Sequence, residues 1–239
     1  MDIKRQYFDL IQKKIDTAFN NQKDKFKKVA NLFGDCMCNG GVVQLFGVKH
    51  GEEFVNELNY RAGGIAPFHG FKLKDMMLKG LVSQADIDSG KVYEDTNVAD
   101  IFLKNYQIDD RDMIVLVSFT GSEPLVLELA KRYKNHGQKV VGVINKKTYD
   151  KTGSKLLDYC DCWIDMEADD PDVALNIDGL SVGQASSTVT NVIAQMITAD
   201  VYEYYVSKGK EAPVLLSANV KGADVHNNSL TDPYERRVR

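Results

Sequence analysis

Short, mostly apolar runs, separated by stretches with helical periodicity, constrain the fold of this chain most strongly. The clearest runs are residues 42–46, 113–117, 139–144 and 162–164. A strand that is apolar on both faces must be buried on both faces, and a helix between successive strands lets those strands run parallel. The sequence therefore predicts an α/β fold, a three-layer sandwich in which helices cover both faces of a parallel sheet.

Helical periodicity accounts for most of the remaining chain. The apolar spacing predicts two helices within residues 1–40, then helices over residues 52–62, 124–135 and 185–206. These helices alternate with the apolar runs, as the layered fold requires.

Two segments and the two ends of the chain are less regular. Residues 65–67 fit a short edge strand, and residues 68–110 predict only two weak helices. We expect residues 1–40 to form an N-terminal helical arm. Residues 41–239 then form a domain that ends in a polar tail, and the two parts together make one structural domain.

The charge of the chain excludes several classes of partner. Its formal net charge is −4 and it has no long Lys/Arg run, so we expect neither nucleic acid nor an anionic membrane surface as a partner. No stretch approaches the roughly 18 apolar residues that span a bilayer, and the N-terminus lacks the pattern of a signal peptide. We expect a cytoplasmic protein whose ligand is a small molecule.

Four cysteines stand in two closely spaced pairs, Cys36/Cys38 and Cys160/Cys162, which raises the question of a metal or a disulfide. If residues 25–38 are helical, side chains two positions apart point about 200° apart and do not easily share a metal. The sequence also lacks the HExxH and CxxC metal motifs. We expect reduced thiols, no metal and no cofactor.

Two loops follow predicted strands and precede predicted helices, which is where α/β folds bind ligands. The second loop, residues 118–122, offers hydroxyl donors, a flexible glycine, and the N–H groups and partial positive charge of a helix N-terminus. Such a loop suits a phosphate. Its candidate ligands are Ser118, Thr120, Gly121 and Ser122. As an alternative, Ser122 only caps the following helix.

Three segments resemble the SIS (sugar isomerase) domain family. SFTG at 118–121 resembles its phosphosugar-binding loop, while NYRAGGIAP at 59–67 and SANVKGADVHNNSL at 217–230 resemble a branch that is similar to phosphoheptose isomerases. The resemblance implies a flavodoxin-like sheet of five parallel strands in the order 2-1-3-4-5, with both loops at the topological switch point. It also implies a sugar phosphate ligand and a homodimer or homotetramer with sites near the subunit interface.

The first loop departs from the family pattern. It reads FGVKHG where the family usually has FGTGHS, so Gly47 is kept while Lys49 and Gly51 replace a glycine and a serine. Lys49 either supplies a point charge to the phosphate or points to solvent and leaves a weaker site. Glu123 stands where the family often has Thr or Asn. Because an inward carboxylate would repel a phosphate, we expect Glu123 to face outward and favour the helix dipole.

A third polar cluster, residues 183–188, starts the long helix. In related domains this helix start also faces the sugar phosphate, so Ser186 and Ser187 are candidate ligands. Capping of the helix by these hydroxyls is the alternative.

Isomerisation of an aldose to a ketose through a cis-enediol needs a carboxylate, or occasionally a histidine, to carry a proton between adjacent carbons. Glu57, His226 and His50 are the candidates, with Arg61 near Glu57. Alternatively, Glu57 and Arg61 form an i,i+4 ion pair that contributes ~0.3–0.5 kcal/mol, and His226 lies in a solvated tail. In the family, a C-terminal histidine often completes the site of a neighbouring subunit.

These patterns predict a phosphosugar-binding protein that acts as a sugar-phosphate isomerase. The alternative is a phosphosugar-binding sensor or regulatory module without catalysis, which the altered first loop favours somewhat.

Overall fold

Five short strands form one parallel sheet at the centre of the molecule. A computed structural model describes residues 2–237, without the side chains of residues 235 and 236. The strands are β1 (Val43–Gly47), β2 (Phe68–Gly70), β3 (Met113–Ser118), β4 (Val140–Ile144) and β5 (Cys162–Asp165). Their order is β2-β1-β3-β4-β5 and every neighbouring pair is parallel. The predicted α/β class and the strand order 2-1-3-4-5 are confirmed.

Helices connect the strands. They are α1 (Ile3–Cys38), α2 (Gly51–Leu58), α3 (Leu73–Leu78), α4 (Gln84–Ser89), α5 (Asn97–Asn105), α6 (Pro124–Asn135), α7 (Lys146–Thr152), α8 (Ser186–Ser207) and α9 (Ala223–Thr231). Short 3₁₀ helices cover Lys91–Tyr93, Leu156–Tyr159 and Asp232–Arg237. A small antiparallel hairpin, β6 (Leu175–Ile177) with β7 (Leu180–Val182), precedes α8.

The central strands are buried on both faces, as their unbroken apolar runs predict. On β3, Val115 and Val117 pack in the cluster that contains residues of α1, α2 and α8. Ile114 and Leu116 point the other way, into the cluster that contains residues of α5 and α6. The alternation follows from the two-residue period of a strand, and it places helices on both faces of the sheet.

The N-terminal region corrects one prediction. Instead of two helices, α1 is a single helix of 36 residues. No Gly or Pro occurs before Gly34, so nothing in the sequence breaks the helix between its two apolar stripes. Phe26, Val29 and Phe33 of α1 are buried in the same core as α8.

Three further boundaries differ from the prediction. The edge strand lies at residues 68–70 rather than 65–67, and Ile65 instead forms an isolated antiparallel bridge with Val214. Helix α2 ends at Leu58, four residues early. The polar tail contains α9. The segment before α9 pairs with the segment before β2, since the N–H of Ala66 donates to the Pro213 carbonyl at 2.8 Å.

Strands β1 and β3 are neighbours, so their following loops meet at the carboxyl edge of the sheet. Gly47 is in register with Val117, and the N–H of Val48 donates to the Val117 carbonyl at 2.9 Å. No helix within residues 2–237 is long and apolar enough to cross a membrane.

Candidate functional site

A small cavity of about 140 Å³ lies at the carboxyl edge, where the loops after β1 and β3 meet the start of α8. Three separate polar clusters of the sequence contribute to its wall, although they are far apart along the chain. The polar residues that line the cavity are Lys49, His50, Thr120, Glu123, Ser186 and Thr190. The cavity therefore lies at the switch point that the strand order defines.

The loop after β3 is closed by hydrogen bonds among its own residues. The buried Ser118 hydroxyl donates to Glu123 Oε2 at 2.5 Å and accepts from the Gly121 N–H at 2.8 Å. The Thr120 hydroxyl donates to Glu123 Oε1 at 2.9 Å. The N–H and the hydroxyl of Ser122 both donate to Thr120 Oγ1, at 3.2 and 2.9 Å. The Glu123 carboxylate thus binds two hydroxyls of the predicted phosphate loop directly, and the Ser122 hydroxyl donates to one of them.

The expectation that Glu123 faces outward is wrong. Its carboxylate points back to Ser118 and Thr120, because two hydroxyl donors lie within reach. A hydrogen bond to a charged group is worth ~1.5–3 kcal/mol, whereas a charge near an exposed helix end gains ~0.3–1 kcal/mol from the dipole. The capping alternative for Ser122 is also wrong, since the N-cap of α6 is Glu123 and the exposed Ser122 lies before it.

The loop after β1 has an unusual backbone at both positions where it departs from the family pattern, and this backbone accounts for Gly51 but not for Lys49. Lys49 has a positive φ of 50°, a conformation that glycine adopts more easily. Conversely, a Cβ on Gly51 would lie 2.6 Å from the Val117 carbonyl oxygen, so a serine does not fit there without movement of the backbone. Lys49 and His50 are exposed at the cavity rim, and Lys49 forms no ion pair with the residues that the structure describes.

The hydrogen-bond donors at the start of α8 are paired with an aspartate that the sequence analysis did not identify. Asp172 Oδ1 accepts from the N–H groups of Ala185 at 3.3 Å and Ser186 at 3.2 Å. Its Oδ2 accepts from the buried Ser186 hydroxyl at 2.5 Å. Ser187 is half-buried and is not part of the cavity wall. Asp172 stands in a polar segment before the hairpin, where no periodicity or motif marks it.

The candidate proton-transfer residues Glu57 and His226 lie outside this cavity wall. Glu57 forms the expected ion pair with Arg61, and its other oxygen accepts from Gln195 Nε2 of α8 at 2.7 Å. His226 Nε2 is 2.9 Å from the Val214 carbonyl oxygen, within the C-terminal segment. Of the three predicted proton-transfer residues, only His50 lines the cavity.

A buried network of hydrogen-bonded side chains lies at the opposite end of β1, and the sequence did not predict a role for it. Arg237 pairs with the buried Asp112, which accepts from Gln44 Nε2 at 3.0 Å, and Gln44 Oε1 lies 2.7 Å from His69 Nδ1. Burial lowers the pKa of His69 to about 4, so its imidazole is neutral at pH 7. These side-chain contacts join edge strand β2 to the C-terminal segment.

All four cysteines are free thiols, and burial raises the pKa of Cys36 and of Cys160 to about 12. Cys36 and Cys38 lie on α1, as the helical periodicity predicts. Among the described residues, no group of three or more His, Cys, Asp or Glu side chains is arranged to hold a metal ion.

Comparisons with known proteins identify a family, similar sequences and similar folds. A family model described as SIS domain matches residues 6–145. A UPF0309 protein of Halalkalibacterium halodurans is 27% identical over 240 residues, which cover 97% of this chain and 94% of the relative.

Two solved structures are similar in fold. A phosphoheptose isomerase from Francisella tularensis has a TM-score of 0.52 and 12% identity, covering 82% of this chain and 98% of that chain. The Vibrio vulnificus NanR protein complexed with ManNAc-6P has a TM-score of 0.50 and 14% identity, covering 95% of this chain and 69% of that chain.

Proposed function

The chain belongs to the SIS domain family, and on that premise we propose that it binds a sugar phosphate in the cavity at the carboxyl edge of the sheet. The observation that carries the proposal is the meeting of the hydroxyl loop, the loop after β1 and the start of α8 around one cavity. Hydroxyl groups and the N–H groups of a helix N-terminus bind phosphate without needing many cations.

The proposed roles follow the geometry. The phosphate is held by the loop after β3, with help from the loop after β1 and the first residues of α8. The proposed phosphate and sugar ligands are Gly47, Lys49, Arg61, Ser118, Thr120, Gly121, Ser122, Ser186 and Ser187. Lys49 at the exposed rim supports a role as a point charge.

We propose isomerisation of the bound sugar as the reaction. Glu57 would move the proton between adjacent carbons, and His50 or His226 would assist ring opening or polarise the carbonyl. The similar fold of a phosphoheptose isomerase supports this class of reaction. Because Glu57 and His226 lie outside the cavity wall of one chain, the proposal includes a homodimer or homotetramer that completes the site.

The alternative is a phosphosugar-binding module without catalysis. Two contacts favour it, since Arg61 and Gln195 already engage both oxygens of Glu57. The NanR protein bound to ManNAc-6P has a similar fold. In this alternative the ion pair is structural and the loop residues keep their binding roles.

The organisation of the chain is also a proposal. Residues 1–40 and 41–239 are proposed to form one structural domain, in which the helical arm and the C-terminal segment enclose the sheet. Residues 1, 238 and 239 of these ranges lie outside the described residues.

Thermal stabilisation by a panel of hexose, heptose and amino-sugar phosphates tests the proposed ligand. Each compound that stabilises the protein is then incubated with it in deuterated water, and the proton at C2 is followed by NMR. Stabilisation with exchange at C2 is the expected result for an isomerase. Stabilisation without exchange favours the binding module, and no stabilisation by any sugar phosphate contradicts both.

A further inference from the structure

The carboxylate of Glu123 occupies the position that the hydroxyl loop offers to a phosphate. Resting on the proposed sugar phosphate ligand, we propose that Glu123 is a resident anion that controls the affinity of this site for phosphorylated ligands. The phosphate of a ligand binds in the loop only by displacing the Glu123 carboxylate, so Glu123 holds the affinity for phosphorylated sugars below the value that the loop itself would give.

A count of donors supports this role. The loop contains five candidate phosphate donors, namely the hydroxyls of Ser118, Thr120 and Ser122 and the N–H groups of Gly121 and Ser122. All five are used inside the loop, directly on Glu123 or on the hydroxyls that bind it. A hydroxyl has one proton to donate, so the protons of Ser118 and Thr120 are not available to a phosphate while Glu123 accepts them.

Charge makes joint occupancy unfavourable. A phosphate held by the same two hydroxyls would lie within a few ångströms of the carboxylate, because each hydroxyl is already 2.5–2.9 Å from a Glu123 oxygen. Like charges at that distance repel strongly in a half-buried site, where the effective dielectric constant is below that of water. One of the two anions must therefore leave.

Glu123 has a route out of the loop. It is half-buried and lines the cavity, and although it is the N-cap residue of α6, its side chain makes no cap hydrogen bond to that helix. Rotation of its side chain moves the carboxylate toward the rim, where Lys49 lines the same cavity. Lys49 has no ion-pair partner among the described side chains, so it can pair with the released carboxylate or with the phosphate.

Competition between a ligand and the Glu123 carboxylate indicates the class of ligand. A phosphomonoester carries up to two negative charges and three terminal oxygens, whereas the Glu123 carboxylate carries one charge and two oxygens. A sugar phosphate can therefore displace Glu123, while an unphosphorylated sugar gains nothing from its removal. The ligand that fits this loop is therefore a phosphomonoester, and the need to displace Glu123 lowers its affinity.

Isothermal titration with ManNAc-6P and with hexose and heptose phosphates, each beside its unphosphorylated sugar, tests the proposal. Glu123→Gln keeps the shape of the side chain but removes its charge. Glu53→Gln is the matched control, because Glu53 is an exposed acid in the first turn of α2, at the same edge of the sheet. Glu123→Thr is a second variant, and circular dichroism verifies that each protein is folded.

We expect Glu123→Gln to bind sugar phosphates at least about tenfold more tightly than the wild type, equivalent to 1.4 kcal/mol. Glu53→Gln should leave the affinity unchanged, and unphosphorylated sugars should respond to neither variant. Equal affinity of the wild type and both Glu123 variants for a sugar phosphate overturns the role of Glu123 and leaves the proposed function intact. Equal tightening for unphosphorylated sugars also overturns it. Failure of every variant to bind any sugar phosphate overturns both proposals.

Discussion

The starts of α6 and α8 look alike in sequence, since hydroxyl side chains cluster at each, and in each a carboxylate accepts hydrogen bonds from one or more of those hydroxyls. The two carboxylates differ in origin. Glu123 belongs to the loop that it closes and contacts side-chain hydroxyls three and five positions earlier. Asp172 comes from a segment more than ten residues before α8 and contacts two backbone N–H groups as well as one hydroxyl.

The start of α6 can exchange its carboxylate for a ligand anion, whereas the carboxylate at the start of α8 is a fixed part of the fold. Rotation of one side chain removes Glu123 from its loop, whereas release of Asp172 leaves the N–H groups of Ala185 and Ser186 without an acceptor. Backbone donors at a helix start cost free energy when they are buried without a partner. We therefore assign the exchange of anions to the start of α6, while Asp172 stays in place as the acceptor at the start of α8.

The largest expected effect is on stability at α8. Asp172→Ala removes three hydrogen bonds at one helix start, two of them to backbone N–H groups, and should lower the free energy of unfolding by ~2–4 kcal/mol. Urea denaturation followed by circular dichroism measures the change. Asp169→Ala is the control, because Asp169 is a half-buried acid of the same segment whose ion pairs are with Lys14 and Lys147 and not with α8. Equal stability of Asp172→Ala and the wild type would show that this helix start does not depend on Asp172.

The next effect is on ligand binding at α6. Ser118→Ala removes a hydroxyl that lies directly under the Glu123 carboxylate and should weaken sugar phosphate binding by ~10-fold or more, since a hydrogen bond to a charged group contributes ~1.5–3 kcal/mol. Isothermal titration gives the affinity. Ser207→Ala, at the opposite end of α8, provides a comparison with a hydroxyl outside the site. A Ser118→Ala protein that loses only thermal stability would assign Ser118 to the fold instead.

The smallest effect distinguishes the two helix starts directly. Ser186→Ala should lower the free energy of unfolding by ~1 kcal/mol, because its hydroxyl donates to Asp172, and should weaken sugar phosphate binding much less than Ser118→Ala does. The two measurements are made on the same preparation. A loss of affinity in Ser186→Ala as large as that in Ser118→Ala would make the two helix starts equivalent and would remove the distinction drawn above.

The sheet and the meeting of the two loops were predictable, because they depend on the periodicity of apolar residues and on the order of strands and helices along the chain. Continuous apolar runs determine the strands, and the resemblance in SFTG, NYRAGGIAP and SANVKGADVHNNSL led to the strand order. The direction of Glu123 was not predictable from the dipole alone, since it depends on two hydroxyls that reach it only after β3 and α6 are in place. Asp172 was missed for a similar reason, because its partners lie across an irregular segment.

A similar limit applies to the edge of the sheet. The short strand was predicted at residues 65–67, but Ile65 pairs with Val214, and β2 begins at Phe68. Long-range pairing with the C-terminal segment leaves no local pattern in the sequence. His69 likewise has no motif around it, and its role emerges only from the buried network that includes Gln44 and Asp112.

A crystal structure of the protein with a bound sugar phosphate tests the central claim most directly. We predict phosphate oxygens about 3 Å from Ser118 Oγ and Thr120 Oγ1, the usual length of such hydrogen bonds, with the Glu123 side chain rotated out of the loop. A phosphate bound elsewhere, with Glu123 still accepting both hydroxyls, would contradict the account.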